Sequence, residues 1–367
     1  MPLQNRLDPQ PPELKAPWRT DARLELQMEA RVFARDIVLP IADELDPKKA
    51  EMPKSLIDQM AAKGWFGITI PAEHGGMGLG IFEYCLVSEE LARAWLSVGS
   101  ILARGQGLGT QTIDDARRLE LLRRSAQGKW IGAIALSEPT AGSDLAAVQT
   151  KAIRESDHWI LSGTKRWAGF ALAADFIEVL ARTREPKQGE PRSAGLETFL
   201  VVKQPGTFPD GITGRVIDKI GYHGLLTWHL ELDGVRVPEG DRLTGLYGDG
   251  GAEADLGGFA AVQRGLNIAR VHTAARAVGV ARAAVGDRDE AAQEDGRPRN
   301  ARGHDARHEE GQHAEQHHGD RGDRIRLEQV GRHPGAVADV VADVVRDHGR
   351  VPRVVLRDPG LDLADEV

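Results

Sequence analysis

The chain is 367 residues long, 41% hydrophobic and 28% charged, enough for a large core divided over two or three domains. A single cysteine, Cys85, excludes a disulfide framework and any Cys-based zinc or iron–sulfur site. A net charge of -8 gives no chain-wide attraction to the phosphates of nucleic acid, which leaves small molecules and other proteins as the expected partners.

Met1, Pro2, Leu3 and Gln4 open no basic stretch followed by an apolar run, and no segment reaches the 18 apolar residues of a membrane span. The expected setting is the cytoplasm, with no membrane contact. Leu24, Met28, Val32 and Phe33, then Ile37 and Ile41, recur at helical spacing from Asp21 to about Asp46, with Pro40 predicting a kink. Pro53 and Gly64 bracket a second helix. The glycines of Trp65 to Gly80 predict a loop, and helix returns over Ile81 to Val98 and Asp114 to Ser125.

The pattern changes near Trp130. Short β-type runs follow at Ile131 to Leu136, Val148 to Arg154, Trp159 to Gly163, Phe176 to Arg182, Thr198 to Val202 and Thr227 to Leu232, which predict an antiparallel sandwich or barrel. A last helix over about Leu256 to Val285 is apolar on several sides and so expected to be buried. The organisation read from this is a helical domain (1–127), a middle antiparallel β-domain (128–240), the first helix of a second helical domain (241–285) and an atypical tail (286–367). The fold class is α+β multidomain.

Two segments carry the chemistry. In Ile134 to Asp144 (IALSEPTAGSD), Pro139 and Gly142 fix a turn while Ser137 and Ser143 present hydroxyls beside backbone N–H groups, a surface suited to the polar edge of a planar ligand. An ordinary Ser/Pro/Gly loop is the bland alternative. In Leu161 to Gly169 (LSGTKRWAG), Trp167 ends a strand beside Ala168 and Gly169, where an indole can wall a flat aromatic ligand or simply pack in a core.

Taken together with Gly64 to Gly80, Glu89 to Arg93 (EELAR), Gly221 to Thr227 (GYHGLLT), Leu232 to Pro238 (LDGVRVP) and Gly265 to Arg270 (GLNIAR), these segments resemble the acyl-CoA dehydrogenase family over about residues 20–285. The resemblance implies an FAD-dependent oxidoreductase of lipid metabolism that converts an acyl-CoA thioester to the enoyl-CoA, with an electron-transferring flavoprotein as acceptor. It places FAD against Ile134, Ala135, Leu136, Ser137, Ser143, Trp167, Ala168 and Gly169, and the substrate near Ser143, Asn267 and Arg270. Gly169 departs from the family, which carries Thr or Ser there with a hydroxyl near flavin N5. The arginines 264, 270, 276 and 282 fall every six residues, a spacing that marks no single helix face.

The family reaction needs a carboxylate to remove the proton α to the thioester while the β-hydrogen leaves as hydride. Its Tyr-Glu-Gly-Thr type motif is missing here. In some relatives a Glu directly precedes the arginine, but that position is Ala269. No catalytic base is therefore assigned, and an inactive relative with residual flavin binding is the alternative to an active enzyme. The 82 residues from Gly286 contain 13 Arg and 19 Asp or Glu with no Lys and no aromatic, a bias expected of a reading-frame change after Val285 in a GC-rich gene. Translating the other frames should then restore a helical sequence with the missing motif. Such a tail would leave the family's homo-oligomer doubtful and apolar surface exposed. His304 and His308, and His313 and His317, share helical spacing suited to a metal, but His-rich tracts are a compositional signal and no metal site is assigned.

Overall fold

The computed structural model describes residues 19–112, 115–243 and 259–294, all within one unit, Met1–Arg297. Thr20 caps α1 (Asp21–Phe33) by accepting the Arg23 N–H at 3.3 Å. The predicted kink at Pro40 is a widening: Ala34–Val38 is π-helical, and the Leu39 N–H reaches back to the Ala34 carbonyl before α2 (Leu39–Leu45) resumes. Proline has no N–H to give the preceding turn, and the wider turn absorbs the mismatch.

Pro53 precedes α3 (Lys54–Ala62), and Gly64 ends that helix at φ 75°, a left-handed conformation that glycine adopts without strain. In α4 (Ile81–Ala94) the Glu83 carboxylate accepts the Gly80 N–H at 3.0 Å. The single helix expected over Ile81 to Val98 breaks at Trp95, whose extended backbone lets its indole N–H donate to Asp46 at 2.7 Å, and helix restarts as α5 (Leu96–Ile101). The last helix of this domain is α6 (Asp115–Ala126).

The middle domain is one hydrogen-bonded sheet of β1 (Gly132–Ala135), β2 (Lys151–Glu155), β3 (His158–Gly169), β4 (Phe176–Arg182), β5 (Leu196–Val202), β6 (Ile212–Val216), β7 (Thr227–Pro238) and β8 (Arg242–Leu243). The order is β6-β7-β3-β2-β4-β5-β8, with β1 beside β4. Pairing is antiparallel, as predicted, except that β4 runs parallel to both β1 and β2. Two irregularities interrupt the β3–β7 ladder, the second between Lys165 and Ala168, so Arg166 and Trp167 drop out of register. Trp167 is left at φ 67°.

Side chains along β4 alternate between two cores. Ile177, Val179 and Ala181 join the large core shared with the N-terminal helices, whereas Phe176 and Leu180 join a second one with Leu108, Trp130, Leu200 and Val262. Trp130 stacks on Phe176 at 4.6 Å. α7 (Phe259–Glu294), which runs beyond Val285, lies along α4. Its His272 ring stacks on Tyr84 at 4.7 Å, Arg282 pairs with Glu89 and Glu90, and Gly279 sits where an added Cβ would strike the Glu89 carbonyl.

Candidate functional site

A cleft of about 250 Å³ opens between the ends of β1 and β3 on one side and α5 and α7 on the other. Its β wall presents Ile134, Leu136, Ser137, Arg166 and Trp167. Behind that wall lies a buried ion pair. Lys165 donates to Glu138 at 2.9 Å and to the Leu136 carbonyl at 3.0 Å, while Glu138 accepts the backbone N–H groups of Gln149 and Thr150 and the Thr150 hydroxyl. Burial pulls the Lys165 pKa down to about 8, opposed by Glu138. Burial also acts to raise Glu138, but Lys165 and the hydrogen bonds outweigh it and hold that carboxylate below its ordinary value. The Ser137 carbonyl accepts the Arg166 N–H at 2.8 Å, so the turn and the strand end are tied together.

Trp167 is 53% exposed, unusual for an indole, and the Arg166 guanidinium lies 4.8 Å from its ring centre. Ala135, Ala168 and Gly169 are buried beside this wall and do not line the cleft with side chains. A Cβ on Gly169 would lie 3.1 Å from the Arg104 guanidinium, so the hydroxyl-bearing side chain expected at this position would crowd Arg104. Ser143 is exposed in the loop beyond Glu138 and lies outside the cleft lining.

The opposite wall differs from expectation. Ala269, His272, Thr273 and Arg276 line the cleft at i, i+3, i+4 and i+7, one face of α7. Arg270 is one residue, about 100°, off that face. It is exposed and donates at 2.6 Å to Asn267, itself exposed, so these two expected substrate residues, like Ser143, lie outside the cleft lining. Arg276 lines the cleft instead. It donates to Ser100, to Thr273 at 2.9 Å and to the Tyr222 hydroxyl at 3.3 Å, and its buried Nε has no partner among the described residues.

Burial, reinforced by the charges of Arg276 and Arg104, pushes the His272 pKa down to about 3, so this ring is neutral where it packs against the Gly99 carbonyl at 3.0 Å. Burial works to raise the Tyr222 hydroxyl pKa, but the same two arginines outweigh it and the net shift is downward. None of the described residues lining the cleft is acidic.

Sequence reasoning missed three groups. Lys165 and Glu138 lay inside the two informative segments, and the signal was a charged pair at positions where a strand and its following turn are otherwise apolar or small. Glu178 gave a fainter signal, one acid within an apolar run. It is fully buried between Phe176 and Leu180 on its strand and beside Ile134 and Leu200 across the sheet, and neither carboxyl oxygen has a partner among the described residues. Burial pushes its pKa well above the carboxylate range, so it is held as a neutral acid. Among the described residues no cluster of His, Cys, Asp and Glu is arranged to hold a metal, and the histidine pairs of the tail lie outside them. No described helix is long and apolar enough to cross a membrane.

Comparison with known proteins agrees with this architecture. Residues 20–127 match the acyl-CoA dehydrogenase N-terminal domain, and residues 133–235 match the acyl-CoA dehydrogenase middle domain. Benzylmalonyl-CoA dehydrogenase of Aromatoleum aromaticum is 36% identical over 270 residues, covering 72% of this chain and 67% of that protein. (2S)-methylsuccinyl-CoA dehydrogenase of Cereibacter sphaeroides is 34% identical over 273 residues, 71% of this chain and 48% of its own length. A structure of glutaryl-coenzyme A dehydrogenase in complex with glutaryl-CoA matches with a TM-score of 0.65 and 30% identity, covering 78% of this chain and 69% of that one. The chain belongs to the acyl-CoA dehydrogenase family. It spans about half to two thirds of the length of the relatives named here.

Proposed function

We propose that the cleft binds FAD against its β wall and an acyl-CoA thioester between the flavin and α7, and that the described residues do not couple this binding to turnover. The observation that carries the reading is Trp167, held at positive φ and half-exposed beside the Ser137 turn, a costly arrangement for a residue that serves only packing. The residues fit the ring of a flavin: an indole face, the Ser137 hydroxyl and the backbone edge of Ile134 to Ser137, all braced by the Lys165–Glu138 pair. When bound, FAD supplies a hydride acceptor.

This chain's residues would orient the two ligands and exclude water from the flavin face. Proton removal is the step they lack. Among the described residues the cleft lining has no carboxylate, Ala269 stands at the position where some relatives carry the base, and Glu178 is sequestered in the apolar core. Oxidoreductase chemistry on an acyl-CoA and an electron-transferring flavoprotein as acceptor are what family membership supports for an active form.

Titration of the purified chain with FAD should give a yellow complex whose flavin bands do not bleach on adding butyryl-CoA, and Ala269→Glu should confer bleaching. A chain that takes up no flavin would sink the binding half. Bleaching by the unaltered chain would sink the uncoupled half.

A further inference from the structure

The cationic side of the cleft is not used by the reading above. Arg104 and Arg276 line the same cleft as Tyr222 and His272, and Arg276 donates to the Tyr222 hydroxyl, so two guanidinium groups share it with one hydroxyl and one neutral ring. The hydrogen-bond partners of Arg276 given above are neutral hydroxyls, those of Ser100, Tyr222 and Thr273, and its Nε points to no acceptor among the described residues. Arg166 adds a third guanidinium at the opposite rim, and none of the described residues lining the cleft is acidic.

A guanidinium facing only hydroxyl oxygens retains unused donors in a fixed fork, a geometry that matches a planar carboxylate. The hydroxyls keep the fork in place without neutralising it. A purely structural arginine normally meets a carboxylate or backbone carbonyls, as Arg182 does with the carbonyls of Val148, Ala194 and Ala146.

We infer that Arg276, with Arg104 beside it, forms a subsite for a free carboxylate on the acyl group, so that the preferred thioester is that of a dicarboxylic acid and not of a plain fatty acid. This rests on the acyl-thioester reading of the same cleft. The carboxylate would accept from the Arg276 fork and the Tyr222 hydroxyl, displacing the weak 3.3 Å contact between those two side chains. A phosphate is the competing anion, but the same cleft is also lined by Ala103 and the Trp167 indole, apolar surface that suits an acyl chain.

The test is calorimetric binding to the full-length chain of glutaryl-CoA, of its ω-methyl ester and of free CoA. The ester keeps the length and removes only the charge. The free acid should bind about tenfold or more tightly than the ester, as expected for a charge-assisted hydrogen bond. Raising the salt concentration should narrow that ratio. Arg276→Gln should bring the two ligands to parity, and Arg276→Lys should restore part of the preference.

Equal binding of acid and ester to the unaltered chain would overturn the subsite, and this comparison needs no variant to fold. Equal weakening of both by Arg276→Gln would also overturn it, because the arginine would then be reading the CoA phosphates or supporting the wall. If neither thioester binds more tightly than free CoA, the acyl-thioester reading itself falls and takes the subsite with it.

Discussion

The two walls of the cleft are held by different combinations of interaction. On the β side, a lysine with no exposed side-chain surface is paired to Glu138, and the remaining acceptors of that carboxylate are filled by Gln149 and Thr150. On the helical side, α7 rests on α4 through close approach at Gly279, a stacked Tyr84–His272 pair and the ion pairs of Arg282. A satisfied polar network fixes one geometry because every alternative strands a charge. The β wall is therefore held by a polar network of its own, and α7 by its packing and ion pairs on α4.

The comparison is broken most severely at Lys165. Lys165→Met leaves Glu138 buried without its counter-charge, and unfolding in urea should show a loss of about 3–5 kcal/mol. A loss under about 1 kcal/mol would mean that water reaches the pair and that the wall is not braced as described. Glu178, on the same sheet, is the converse case, a buried acid with no partner among the described residues. Glu178→Leu should stabilise the chain by about 1–2 kcal/mol near pH 5. Its folded pKa lies above its unfolded one, so the folded state holds a proton the unfolded state has released. The native chain should consequently lose stability as pH rises above the ordinary carboxylate range, by up to about 1.4 kcal/mol per pH unit relative to the leucine variant. Parallel pH profiles for the two chains would show that Glu178 has a partner in solution.

Periodicity and composition made much of this wall legible. β4 was expected over the residues it occupies, because a short run rich in β-branched and apolar residues, broken inside only by Glu178 and bounded by turn residues, reads as a strand. β6, with Gly214 and Arg215 inside five residues, and the two-residue β8 offered no such pattern. They form because neighbouring strands present open edges. The turn and the tryptophan of the site were visible as sequence, but the reason Trp167 faces outward was not. That depends on a register shift against β7 some sixty residues away, which local propensity does not encode. Nor could helical spacing choose among the arginines of α7, since the choice is made by which face α4 and α5 cover.

On the helical side, Gly279→Val should cost about 1–2 kcal/mol, because the new side chain meets the Glu89 backbone carbonyl, which cannot rotate away. Hydrogen exchange should quicken in α4 and α7 while β3 and β4 stay protected. Equal quickening in both walls would contradict the division drawn between them, since it would mean that the sheet depends on α7 for its stability.

The smallest effect is expected at Arg270, and it separates two ways of placing the substrate. The resemblance to the family puts Arg270 and Asn267 against the acyl group, whereas the geometry leaves both exposed and turns Ala269, His272, Thr273 and Arg276 inward. Arg270→Ala should leave both stability and glutaryl-CoA binding within about 0.5 kcal/mol of the unaltered chain, as for an exposed side chain free of special contacts. The mutual hydrogen bond to Asn267 does not change this, because an exposed pair exchanges readily with water. A large loss of thioester binding with stability intact would require α7 to turn by about one residue's rotation when ligand enters. That outcome would bring Arg270 inward, carry Arg276 off the cleft and transfer recognition from the arginine that geometry selects to the one that family membership selects.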